Sequence, residues 1–391
     1  MEITPKQRIL TSLEHREPDR VPYDLGGTVD TSIHYMCYNN LVRHLGKEHL
    51  ARQEQKVHFM DIVQGVVQVD PEMVERLKVD VRGFVPGSYK VGWTETVQSD
   101  GTDYYVLDSF GARWFRPKHG FYFDQKEGSF PLAKIDSVPE LERFNWPVLG
   151  DEDRVKGIRD IAQELGRQYA LVAGDPVGGI FAQSFRLRGY TNFYLDLAGN
   201  PDFALALMNK LTEIKMQYWD RVLDEVGDLI DIVIFEDDLG EQKRTLISPQ
   251  MYRQLVKPCH ARLFSFIKKK THGRVYVLLH TDGSVYDLIP DLIEAGIDIL
   301  NPIQVSCANM DSAKLKKEFG RDLVFWGGSV DTQGVLSQGR PEQVRDEVKR
   351  RLDDLAPGGG FVFAAIHNVQ PEVPPENFMA MWETLQKYGG Y

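Results

Sequence analysis

The chain of 391 residues carries 46 basic and 57 acidic side chains, a formal net charge of −11, which argues against general nucleic-acid binding because that needs a basic face. Hydrophobic residues make up 42%, enough for a large core, yet no run approaches the roughly 20 apolar residues of a membrane span. The three cysteines, Cys37, Cys259 and Cys307, match neither a disulfide framework nor a paired-cysteine metal knuckle, so a reducing, cytoplasmic setting is expected.

The first stretch, "MEITPKQRILTSLEHREPDRVP", has no apolar signal core and reads as a short amphipathic helix with Ile9, Leu10 and Leu13 on one side. Two strand candidates follow, "RVPYDLGG" (20–27) and "VDVRGFVP" (79–86). From about residue 90 to 145 the pattern changes. "TETVQSDGTDYYVLDSFGARWFRP" alternates and carries Asp-Gly and Phe-Gly turn signals, so an antiparallel β insertion is expected there. Beyond it six apolar strand candidates alternate with helical segments: "YALVAGD" (169–175), "LIDIVIFEDD" (229–238), "RVYVLLHTD" (274–282), "IDILNPIQ" (297–304), "LVFWGGSVD" (323–331) and "GFVFAAIH" (361–368). Near-continuous apolar strands with helical crossovers predict a parallel sheet covered on both faces. Eight of them fit a closed (β/α)8 barrel better than an open doubly wound sheet. The whole chain, 1–391, is expected to be one such α/β domain.

Strands four to eight all end in polar residues: "FEDDLGEQ", "HTDGS", "NPIQ", "GGSVDTQ" and "IHNVQ". Any one of these ends fits a loop or helix cap equally well. Together they fit the C-terminal mouth of a barrel, where such folds carry their active sites. In an extended chain residues i and i+2 share a face, so His280 and Asp282 leave strand five side by side. His367, at the end of strand eight, can be aimed at the same axis. Two imidazoles and a carboxylate with one open position form a catalytic zinc set. Glu236 or Asp238 could add an oxygen, while at least one acid of Glu236-Asp237-Asp238 is expected to be solvated or to cap a helix. The competing readings are a local His280–Asp282 hydrogen bond that orders the loop, and a metal-free proton donor at His367.

"AGDPVGGIFAQSFRLRGYTNF" follows strand three, and its glycines allow close backbone approach. Without a P-loop or GxGxxG it does not predict a nucleotide site. Asp175 closes the preceding strand, and Arg186 and Arg188 are candidates for holding a carboxylate or for pairing with surface acids. Tyr23, Phe185, Tyr190 and Trp326 are candidate pocket walls or core residues. Asp24, Asn301 and Gln304 are further substrate-side candidates at strand ends. Cys259, in "KPCHARL", and Cys307 are expected to be packed or loop thiols.

The motifs "DDLGEQKRTLISPQMYRQLVKP", "HTDGSVYDLIPDLIEAGIDILNPIQ", "FWGGSVDTQGVL" and "GGGFVFAAIHNVQPEVPPENF" resemble the uroporphyrinogen decarboxylase superfamily, a (β/α)8 family with two main branches. One branch is a metal-free porphyrinogen decarboxylase, whose arginine-rich segment after strand one binds substrate carboxylates. This chain has "DLGGTVDTS" there, with no arginine; by the resemblance, Asp80 takes the place of an aspartate that branch carries in strand two. The other branch comprises zinc-dependent methyltransferases that exchange methyl groups with a corrinoid protein. Those carry His-x-Cys after strand five and a Cys after strand eight, where this chain has His280, Asp282 and His367. The resemblance implies a Zn²⁺ enzyme that moves a methyl group from an O-methyl or N-methyl donor to a cobalamin-type corrinoid on a partner protein. The loss of both thiolates makes the site harder, suited to an ether oxygen rather than a thiol. The alternative is a metal-free decarboxylase or lyase on a small carboxylated substrate. A homodimer is admitted, with no residue pattern that requires it.

Overall fold

The apolar strands pair in the order in which the chain produces them. The computed structural model describes residues 3–86, 96–176 and 178–391. A small antiparallel pair, β1 (Phe59–Asp61) and β2 (Val66–Val67), precedes the first long parallel strand, β3 (Val81–Phe84). After the β4–β6 insertion described below come β7 (Ala170–Ala173), β8 (Ile232–Glu236), β9 (Tyr276–His280), β10 (Ile299–Asn301), β11 (Val324–Trp326) and β12 (Phe361–Val362). β3 and β7 to β12 form one sheet in chain order, parallel at every junction. All four residues of β3 and of β7 are buried, as expected where helices cover one face and the barrel interior the other.

The first-strand candidate closes this sheet. The Asp24 amide donates to the Phe363 carbonyl at 2.9 Å, and the Phe363 amide donates to that of Pro22 at 2.8 Å. On the other side the Asp80 amide donates to the Tyr23 carbonyl at 2.8 Å. An extended segment at residues 22–24 therefore lies between β12 and β3, and the eight strands make a (β/α)8 barrel. Gly83 permits this closure, because a Cβ there would lie 2.0 Å from the Gly27 carbonyl oxygen. Asp80 sits at the opposite, N-terminal end of β3. It is buried, pairs with Arg8 (2.5 Å) and Arg20 (2.7 Å), and accepts from the Tyr23 amide. Its place is at the bottom of the barrel, away from the mouth.

The outer layer follows helical spacing. The helix Pro201–Val226 buries Phe203, Leu207, Leu211, Tyr218 and Val222 along one side, the three-and-four spacing of an amphipathic helix. Its proline stands in the first turn and Gly227 follows its end. Burial of each such large apolar side chain contributes roughly 1.5–3 kcal/mol. No helix among the described residues is long and apolar enough to cross a membrane.

The insertion is narrower than the 90–145 expected from the sequence, and its residues 90–95 lie outside the described ones. β4 (Gln98–Ser99), β5 (Asp103–Leu107) and β6 (Arg113–Pro117) form a three-stranded antiparallel sheet. Asp108 closes the β5–β6 turn by accepting from the amides of Phe110 and Ala112, both at 2.9 Å. After β6 the chain returns through turns to a short helix, Val138–Glu142.

Candidate functional site

β8, β9 and β10 end in register. Glu236 lies opposite His280, and His280 opposite Asn301, so three polar side chains leave neighbouring strands in one layer. Glu236 and His280 border a cavity of about 500 Å³ at the C-terminal mouth, also lined by Asp30, Asp61, Arg186, Asp238, Asp282 and His367.

The orientation of His280 follows from its neighbours. Asn301 Nδ2 donates to the Trp326 carbonyl at 2.8 Å, which turns Asn301 Oδ1 toward His280 Nδ1 at 2.7 Å. A carbonyl oxygen only accepts, so Nδ1 carries the hydrogen and Nε2 is the nitrogen left for a ligand. His280 Nε2 lies 4.0 Å from Asp282 Oδ1, and His367 Nε2 lies 3.6 Å from Asp282 Oδ2. The two imidazole rings are 5.5 Å apart. Neighbouring donors around a tetrahedral zinc stand roughly 3.3 Å apart; these contacts are wider and use different Asp282 oxygens, so His280, Asp282 and His367 face one mouth without forming a single group of mutually close donors.

Asp30 joins this group, and the strand-end reading did not include it. Its Oδ1 is 3.9 Å from His367 Nε2, and its Oδ2 is 3.5 Å from His280 Nδ1. Oδ2 is buried without a hydrogen-bond partner among the described residues. Two overlapping donor groups share His280: Asp30 with His280 and His367, and Asp238 with His280 and Asp282. The signal for Asp30 was its place in "DLGGTVDTS", directly after strand one, where a polar strand end faces the same mouth.

The cluster carries excess negative charge. Burial, then the charge of Asp30, pushes the Glu236 carboxyl well above the usual carboxylate range. Burial also raises Asp61 and Asp282. Burial works against a charged His280, yet Asp30, then Asp282 and Asp238, outweigh it and lift that imidazole to about 10. Both effects follow from several carboxylates gathered around one buried space.

The three acids of "FEDD" separate. Glu236 and Asp238 line the cavity, and Asp238 Oδ1 also accepts from the Asp282 amide at 3.0 Å. Asp237 turns away. It accepts from the amides of Phe181 (2.9 Å) and Ala182 (2.6 Å) at the start of the helix Ile180–Arg188, and from His260 Nε2 at 2.8 Å. The arginines separate too. Arg188 is buried, with Asp196 at 2.7 Å and Asp136 at 3.1 Å, whereas Arg186 faces the cavity. Asp175 lines the cavity but is paired with Lys215 at 2.8 Å.

Several substrate-side candidates stand elsewhere. Tyr23 is fully buried in the closing strand. Trp326 Nε1 donates to Asp24 Oδ2 at 2.8 Å, which locks both behind the cavity wall. Asn301 acts through His280, and Gln304 accepts from the Gly283 amide at 2.7 Å. These side chains point into the layer that holds the loops, because neighbouring strands fill that space with the hydrogen-bond partners they need. Tyr190 is 61% exposed and stacks on Phe185 outside the cavity. Cys259 is buried in its helix. Cys307 is buried with its sulfur 3.3 Å from Gln242 Oε1, and burial pushes its thiol up to about 11.

A family model described as Uroporphyrinogen decarboxylase (URO-D) matches residues 122–388. Similar proteins include the uroporphyrinogen decarboxylase of Ruthia magnifica subsp. Calyptogena magnifica, 24% identical over 285 residues, with 69% of this chain and 75% of that protein covered. Another is the uroporphyrinogen decarboxylase of Pelobacter propionicus, 27% identical over 278 residues, covering 68% and 75%. Among solved structures, a methyltransferase from Methanosarcina mazei shares the fold, with a TM-score of 0.65, 17% identity and 99% of each chain covered.

Proposed function

The chain belongs to the uroporphyrinogen decarboxylase family, and on that premise we propose that it is a zinc-dependent methyltransferase. In this reading it moves a methyl group from an O-methyl donor, such as a methoxylated aromatic, or from an N-methyl donor, to the cobalt of a corrinoid carried by a partner protein. One observation carries the reading: His280, Asp282 and His367 converge with Asp30 on one cavity, with facing imidazole Nε2 and carboxylate oxygen atoms 3.6–4.0 Å apart.

His280 presents Nε2 because Asn301 holds its other nitrogen. His367 and Asp282 complete a facing set, and Asp30, Asp238 and Glu236 supply further oxygens around it. Bound there, zinc supplies Lewis acidity toward the oxygen or nitrogen that leaves as the methyl group departs. In that reaction the methyl–oxygen bond would break with its electron pair left on the oxygen, and the electron pair of the new methyl bond would come from the reduced corrinoid acting as co-substrate. The oxygen- and nitrogen-rich donor set favours this chemistry over attack by a zinc thiolate.

A second reading, a metal-free decarboxylase or lyase on a small carboxylated substrate, has the names of the curated relatives in its favour. Against it, the segment after strand one turns Asp30 into the site. A carboxylate placed beside Asp30 would meet like charge there.

The deciding experiment measures zinc per chain and methyl transfer from methoxylated aromatics and N-methyl compounds to cobalt(I) corrinoid, followed by cobalt absorbance. The proposal expects about one zinc and corrinoid-dependent demethylation. Full activity after chelation, or release of CO₂ with the methyl group retained, supports the second reading instead.

A further inference from the structure

Arg186 sits on the helix Ile180–Arg188. Ala182, Gln183 and Arg186 recur at three-to-four spacing and share its cavity-facing side. The guanidinium carbon lies 5.4 Å from the Trp114 ring centroid. Trp114 is fixed in turn by its Nε1, which donates to Asp108 Oδ2 at 3.1 Å. On another side the guanidinium packs on bare backbone, since a Cβ on Gly178 would come within 2.0 Å of Arg186 Nη1. The β insertion and the loop after β7 therefore hold one planar cation in place.

What this cation lacks is an acceptor. Among the described residues its guanidinium makes no hydrogen bond and no ion pair, whereas Arg188, two residues on, has both its acids and two carbonyls. Asp61, Asp108 and Glu236 lie in the field of Arg186, yet none reaches ion-pair distance. An arginine has five N–H donors in a rigid fork that matches a carboxylate. Stacked on an indole and aimed into a cavity, that fork is organised for an anion that arrives from outside. Arg154 also borders the cavity but leans on Asp151 at 3.8 Å.

Arg186, Glu236 and His280 line the same cavity, so one small molecule placed there has both the guanidinium and the histidine as neighbours. A volume of about 500 Å³ falls in the range of small-ligand sites. We propose that Arg186 binds a carboxylate of the methyl donor, so that the donor is a small O- or N-methylated acid with its methyl-bearing atom at the histidine–aspartate cluster. This deepens the methyl-transfer reading and rests on it for the reacting end only. The carboxylate stays on the product, because only the bond to the methyl group breaks.

The test is calorimetric binding to the zinc-loaded protein. The probes are 2-, 3- and 4-methoxybenzoate and trimethylglycine, each paired with its primary amide, which lacks the carboxylate charge. At least one acid is expected to bind about tenfold or more tighter than its amide. Arg186→Gln should remove that preference, Arg186→Lys should restore part of it, and zinc content should not change in either variant. If no acid is preferred over its amide, or if Arg186→Gln keeps the preference, the proposal is overturned. Product analysis separates the two levels. An acid bound through Arg186 but losing CO₂ rather than methyl would sink the methyltransferase reading and leave the carboxylate contact standing. Demethylation that favours the amides would do the reverse.

Discussion

Asn301 holds His280 by a single shared hydrogen bond, 2.7 Å from Oδ1 to Nδ1, and is itself held by the Trp326 carbonyl at 2.8 Å. The pair spans two neighbouring strands in register. It sets which imidazole nitrogen faces the cavity, and it does so with a residue that never touches a ligand.

Asn301→Ala should therefore weaken zinc binding by about 10–100-fold, the usual range for loss of a partner that orients a ligating histidine. Competition with a chelator measures it. Near-unity change in zinc affinity would mean that His280 is oriented by Asp30 instead.

Removing ligands gives a sharper contrast. His280→Ala should lose both zinc and methyl transfer, because it belongs to both overlapping donor groups. His367→Cys should keep zinc but slow ether cleavage, since a thiolate donates more charge and lowers Lewis acidity. Asp30→Asn should reduce zinc affinity with little effect on folding, as its Oδ2 makes no hydrogen bond to lose among the described residues. Metal analysis of the purified variants decides each case.

The adjacent acids predict opposite phenotypes. Asp237→Ala should destabilise the protein by about 3–5 kcal/mol, because it strips a buried partner from His260 and two helix amides at once. Asp238→Ala should change stability far less and zinc affinity more. Chemical denaturation with zinc titration on the same variants compares them; equal loss of stability would contradict the assignment.

His34 predicts an acid-side pH dependence. Its Nδ1 caps the helix Tyr35–His44 by accepting from the Met36 amide, and burial pushes its pKa from 6.5 down to about 4. The folded state thus favours the neutral ring. The contribution is complete above pH 6.5, falls as pH drops through 6.5 toward 4, and amounts to about 3 kcal/mol. His34→Asn keeps a capping oxygen and removes the titration. Its unfolding free energy should fall less steeply between pH 6.5 and 4 than that of the parent. Parallel curves would show that His34 does not titrate as its burial requires.

Local pattern reached a long way in this chain. Apolar runs with helical crossovers located the parallel strands, with starts within three residues and ends that overran by up to six, since a strand buried on both faces must be apolar throughout. The i, i+2 spacing of His280 and Asp282 placed them on one side of a strand end. The helical segments between the strands were legible from the alternation itself. These features depend on neighbours in sequence, and neighbours in sequence are what periodicity reads.

The rest was decided by contacts between distant segments. Which acid of Glu236-Asp237-Asp238 faces the cavity depends on the helix that starts at Ile180 and needs an acceptor for its free amides. Which of Arg186 and Arg188 is left unpaired depends on Asp196 and Asp136 reaching one and not the other. Asp30 enters the site because barrel closure carries the loop after strand one to the mouth beside His280 and His367, more than 200 residues away along the chain. Tyr23, Asp24, Asn301, Gln304 and Trp326 were polar or aromatic at strand ends like true cavity residues, and only packing turned them into its support. Sequence determined which elements form and roughly where chemistry gathers. The tertiary structure decided which side chains meet, because the direction of a side chain at a strand end is set by the long-range hydrogen bonds that its neighbours still require.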